Sequence, residues 1–188
     1  MSGFYWYNIV SILILITYIF SSKLHFFSLS FYHLINNYSL IFHFSFLSYF
    51  IYRITKNTIN KFIFWTIFFV IMLSVLIILI YNNNSKSDFI AFAISNLGLI
   101  IFCIFYYYYL FKELPSPSLL NEPSFWIITG IFLCMVLHVP ISSIHGYLTL
   151  KINKDIIRVI LSISSLSYAF MHLFFVKAFL CSINHRSQ

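Results

Sequence analysis

Residues 62–81 read FIFWTIFFVIMLSVLIILIY, twenty positions without a charge, entered from Lys61 and closed by three asparagines at 82–84. A helix rising about 1.5 Å per residue needs about 20 apolar residues to cross the hydrocarbon core of a bilayer. This run has that length. Five more of similar character lie on either side of it, at 4–20, 31–52, 89–111, 124–147 and 156–180. No basic segment precedes 4–20 and no small-residue cleavage site follows it, so it is expected to stay in the chain. His33, Asn36 and Asn37 crowd the start of 31–52, so its membrane core begins at either 31 or 38. Pro115 and Pro117 break the chain after the fourth run, and Asn121 with Pro123 marks the start of the fifth as an N-cap and a first-turn proline.

Composition agrees with this reading. Of the 188 residues, 61% are apolar and only 8% are Asp, Glu, Lys or Arg, against about 45–50% and about 25% in soluble domains. Too few charges remain to coat a water-facing surface. The expected fold is all-α: one integral membrane bundle of about six transmembrane helices with short loops, spanning residues 1–188 as a single domain. Helices are forced because lipid offers the backbone no hydrogen-bond partners, and the runs are too uniformly apolar for alternating barrel strands.

The net charge of +7 comes from 11 Lys and Arg against 4 Asp and Glu. The basic residues are scattered between apolar blocks with no stripe, so they read as loop anchors at lipid headgroups, and no nucleic-acid partner is expected. Six alternating spans put six basic residues on the side of the termini and five on the other, a narrow preference for both termini in the cytoplasm. Trp6, Trp65 and Trp126 fall in the first turns of the odd-numbered runs and form a belt on one face. The expected location is a bacterial inner membrane. Cys103, Cys134 and Cys181 are odd in number and far apart, so they read as small apolar side chains and not as a disulfide framework.

The four acidic residues, Asp88, Glu113, Glu122 and Asp155, all lie at or beyond a span's end. Proton-coupled pumps and most cation carriers place a carboxylate at membrane depth, which counts against those classes. Lys177 is read as snorkelling to the interface. The histidines within spans are His43, His138, His145 and His172. Counting residues from the nearest helix end puts His43 and His138 each about 13 Å deep and His172 about 24 Å. His43 with His138 is therefore the pair able to serve a haem or metal as axial ligands, and the competing reading is neutral imidazoles bonded to Ser, Tyr or backbone groups.

On a helical wheel His138, Ser142 and His145 form one polar stripe on the fifth run, and Ser165, Tyr168 and His172 form another on the sixth. Antiparallel neighbours should set these stripes face to face as a polar interhelical seam, with Ser165 level with His138. The seam reads as structural glue or as the wall of a small cavity. Pro140 removes a backbone bond inside the fifth run, and Ser142 or Ser143 is expected to satisfy the freed carbonyl.

Three segments carry a resemblance: NYSLIFHFSFLSYFIYRI at 37–54, LFKELPSPSLLNEPSFWIITGIFL at 110–133, and the run 156–175 with Arg158. Together they resemble a group of small polytopic membrane proteins with six or seven spans typical of Bacteroidota. In that group the fifth span opens with a P-x-F-W-I-x-x-G signature, here Pro123, Phe125, Trp126, Ile127 and Gly130. The second span carries a Glu near the position where this chain has His43. The resemblance implies a membrane bundle and no particular activity.

Three functional readings follow. The first is a non-enzymatic membrane sensor or anchor acting through a membrane or signalling protein as partner, with no catalytic residues and no cofactor. The second is a small transporter or channel, which would have to be a homo-oligomer because six short-looped spans with so few charges scarcely line a path. The third is a haem- or metal-binding membrane protein using His43 and His138.

Overall fold

A computed structural model of the chain describes residues 29–55, 60–81, 89–113, 119–151 and 154–184. The expected first run, 4–20, lies outside the described residues. Among these residues the fold is entirely helical: α1 (Leu29–Thr55), α2 (Lys61–Tyr81), α3 (Phe89–Glu113), a short 3-10 turn (Leu119–Asn121), α4 (Pro123–Lys151) and α5 (Lys154–Asn184). Four helices contain stretches long and apolar enough to cross a membrane, Lys61–Tyr81, Phe89–Lys112, Pro123–Ser143 and Ser162–Ile183. Helix α1 begins at Leu29, ahead of both expected starting points, and is 27 residues long. It is not one of these four, because asparagines, serines and His43 dilute its apolar character.

Local chemistry sets the helix starts. Asn60 caps α2: its Oδ1 accepts from the Phe62 amide at 3.0 Å and its carbonyl from the Phe64 amide at 3.1 Å, satisfying donors that the first turn leaves open. Pro123 occupies the first position of α4, where its missing N–H is not needed. Asn121, expected as the cap, instead belongs to the 3-10 turn, whose Leu119 carbonyl accepts from the Glu122 amide at 3.1 Å.

The cross-helix contacts give an up-and-down order. Tyr52 meets Phe64 while Phe44 meets Phe68, so α1 and α2 run antiparallel. Phe64 stacks on Phe102 at 4.3 Å between centroids, and Ile71 sits against Gly98, so α2 and α3 do the same. Tyr106 reaches Ser124 at 3.3 Å and Tyr107 reaches Thr129 at 2.9 Å, joining α3 to α4. Trp126 stacks on Phe174 and Cys134 meets Ser167, which makes α4 and α5 antiparallel. Helices α1, α3 and α5 therefore point the same way. Phe44, Leu47, Ile51, Phe64, Phe102 and Ile131 are among the fully buried side chains between them.

Two glycines allow close approach. A Cβ built on Gly98 would lie 2.7 Å from Ile71 Cδ1, the end of a flexible side chain. One built on Gly130 would lie 2.8 Å from Phe174 Cβ and 3.3 Å from the Met171 carbonyl oxygen, atoms fixed to the α5 backbone. The close α4–α5 contact has the small-residue character of helix packing in lipid.

Candidate functional site

Helix periodicity brings three polar stripes together. On α1, Asn36, Ser39, Leu40 and His43 follow an i, i+3, i+4, i+7 spacing and share one face. Phe92, Ser95 and Asn96 share a face of α3, and Ser165, Tyr168, Ala169 and His172 share a face of α5. These residues, with Phe42 and Met171, line one cavity of about 530 Å³, within the size range of small-molecule sites. Asn96 is seven residues past the start of α3, about 10 Å along the helix, and Ser165 is likewise near the start of the apolar part of α5. The cavity thus runs from near the start of α3 to the middle of α1 and α5, where His43 and His172 lie. Among the described residues no Asp, Glu, Lys or Arg lines it.

Within the lining, Ser95 Oγ donates to the Phe92 carbonyl at 3.0 Å. Ser39, Asn96 and His172 make no hydrogen bond with protein among the described residues. Asn96 is 6% exposed and lines the cavity. Buried polar groups in proteins are nearly always paired, so the Asn96 amide marks where a ligand's polar atoms would sit, with the half-buried Ser39 and the exposed His172 beside it.

His138 lies on the other side of α5, in the interface with α4. Its Nε2 lies 2.8 Å from Ser167 Oγ and 3.3 Å from the Ser164 carbonyl oxygen and hydroxyl. Ser167 donates its single hydrogen to the Ser164 carbonyl at 2.7 Å, so toward His138 it can only accept. The Nε2 atom therefore carries the hydrogen and donates into this oxygen pair. The Tyr168 ring packs edge-on against the imidazole at 4.4 Å between centroids, and Cys134 Sγ lies 3.8 Å from Ser167 Oγ.

The seam residues thus divide between two places. Sequence reasoning set Ser165 opposite His138, whereas the structure places Ser164 and Ser167 there. Neighbouring residues on a helix differ by about 100°, while residues three apart return to nearly the same face. Ser165, Tyr168 and His172 form the expected stripe, but it turns toward α1 and α3 and walls the cavity. Ser142 is buried, and the His145 side chain lies outside the described residues. Pro140 stays inside α4, and the Ser143 hydroxyl donates to the Val139 carbonyl at 2.8 Å. The carbonyl that Pro140 frees belongs to Val136, so Ser143 does not compensate for it.

His43 lines the cavity. An iron or copper ion reaching His138 through Nε2 would have to displace the hydrogen bonds to Ser164 and Ser167, so this nitrogen does not fit an axial ligand. Among the described residues no three His, Cys, Asp or Glu side chains are grouped to hold a metal ion. Lys177 stands 5.8 Å from the centre of the Trp126 ring, whose Nε1 donates to the Leu120 carbonyl at 2.7 Å.

Asn96 had a signal in the sequence: an amide within the apolar run 89–111 is a costly polar group at membrane depth even though it carries no charge. The chain matches no known protein-family model, and no curated protein or solved structure shows significant similarity to it.

Proposed function

We propose that this chain is a multi-pass protein of a bacterial inner membrane, with about six spans and both termini cytoplasmic. It works as a non-enzymatic sensor or anchor that passes the occupancy of its cavity to a partner protein. One observation supports this reading: Ser39, Asn96 and His172, from three different helices, meet in one cavity without a hydrogen bond to protein among the described residues. A cavity bounded by α1 on one side and α5 on the other also supplies a means of signalling. A ligand bridging the two helices changes their spacing, and a protein in contact with either would feel it.

The test is extraction of the chain from its own membrane followed by native mass spectrometry and cross-linking. The expected result is a bound small molecule, lost when Ser39→Trp fills the cavity, together with a stoichiometric protein partner. A bare chain with no partner contradicts the reading. Solute flux in liposomes by a homo-oligomer would replace it with a transporter.

A further inference from the structure

The three open groups in the cavity define what they would bind. An asparagine amide presents a donor and an acceptor side by side, a serine hydroxyl can do either, and a neutral imidazole offers one of each. A ligand satisfying all three must itself donate as well as accept. A ring bearing only carbonyls, such as a quinone, would leave the Asn96 carbonyl buried without a donor, which carries the desolvation penalty of an unmade bond. A hydroxyl-bearing ring satisfies both halves of the amide.

Charge narrows the class further. A phosphate, carboxylate or ammonium head would enter a site with no Asp, Glu, Lys or Arg in its wall among the described residues, and an uncompensated charge at membrane depth is strongly unfavourable. Phe42, Phe92 and Tyr168 add aromatic surface to the same wall, suited to packing against the C–H face of a ring. Leu40, Ala169 and Met171 supply apolar wall beside the polar groups, where an alkyl chain attached to the head would be removed from polar surroundings.

We propose that the cavity binds the uncharged, hydroxyl-bearing head of an amphiphile, held by Ser39, Asn96 and His172. This rests on the cavity being a ligand site, as argued above, and adds the chemistry of the ligand.

The experiment uses the full chain in phosphatidylcholine nanodiscs, titrated with octyl glucoside, methyl glucoside, octyl sulfate, octyltrimethylammonium and a decyl-substituted quinone, with binding read by native mass spectrometry. Saturable binding of octyl glucoside is expected, with the other probes at least tenfold weaker; methyl glucoside separates a free sugar from a membrane amphiphile. Asn96→Leu should weaken octyl glucoside binding roughly tenfold by removing both bonds. Its thermal stability should not fall, because the amide has no protein partner to lose. His172→Phe, at an exposed position, provides the same test should the Asn96 variant fail to fold, with a loss of severalfold. Equal or tighter binding of a charged or quinone probe, tight binding of methyl glucoside, or unchanged binding in both variants overturns the ligand class alone. Failure of every probe to bind overturns the ligand site as well.

Discussion

Replacing Gly130 by alanine tests the α4–α5 contact on which both the seam and the wall of the cavity depend. The new methyl group would lie 2.8 Å from Phe174 Cβ, against an ordinary contact of at least 3.4 Å, so the helices must part by about 0.6 Å. Overpacking of this kind typically costs about 1–3 kcal/mol. The better helix propensity of alanine returns up to about 1 kcal/mol. Parting the helices also stretches the His138–Ser167 bond, now 2.8 Å, and interhelical bonds in membrane proteins are worth about 0.6 kcal/mol on average. The net expectation is a loss of about 1–2 kcal/mol for Gly130→Ala and a larger loss for Gly130→Leu. Reversible unfolding in mixed micelles measures it. The obstruction is a Cβ atom, which every residue except glycine carries, so adding Phe174→Ala should not rescue the variant. A Gly130→Ala protein as stable as the parent, or one rescued by trimming Phe174, would refute the close packing described here.

Other expectations concern single hydrogen bonds. A double-mutant cycle between His138→Phe and Ser167→Ala in the same unfolding assay should show coupling of about 0.6–1.7 kcal/mol; additive effects would deny the bond. Ser48 is fully buried and its hydroxyl has no hydrogen-bond partner among the described residues. Ser48→Ala should therefore leave the melting temperature unchanged or raise it, and a clear drop would reveal a missing contact. Trp126→Phe removes the 2.7 Å bond to the Leu120 carbonyl and should cost about 1 kcal/mol. Faster proteolysis near residues 119–121 would report the loosened turn, and an unchanged cleavage rate would count against its docking role.

Much of the helical organisation is legible in the sequence because lipid leaves a chain little choice. The 62–81 run alone specifies a helix long and apolar enough to cross a bilayer, and α2 occupies Lys61–Tyr81. Boundaries are less legible where a loop can wind onto a helix, as with Asn121 in its 3-10 turn, or where polar residues still favour helix, as at Leu29. The stripe of Ser165, Tyr168 and His172 follows from periodicity, but its direction does not. Which way a helix turns about its axis depends on the tightest contact it can make, and on α5 that contact is with Gly130, through Met171 and Phe174. This places Ser164 and Ser167 against His138 and leaves Ser165 for the cavity. The cavity itself joins α1, α3 and α5, which are separated by other helices in the chain. Only the folded arrangement puts Ser39, Asn96 and His172 around one space.

Alkaline carbonate washing of membranes followed by ultracentrifugation tests most directly whether the chain is embedded in the bilayer. The protein is expected to stay in the membrane pellet and to be released only by detergent. Recovery of the chain in the carbonate supernatant would contradict a bilayer-embedded chain.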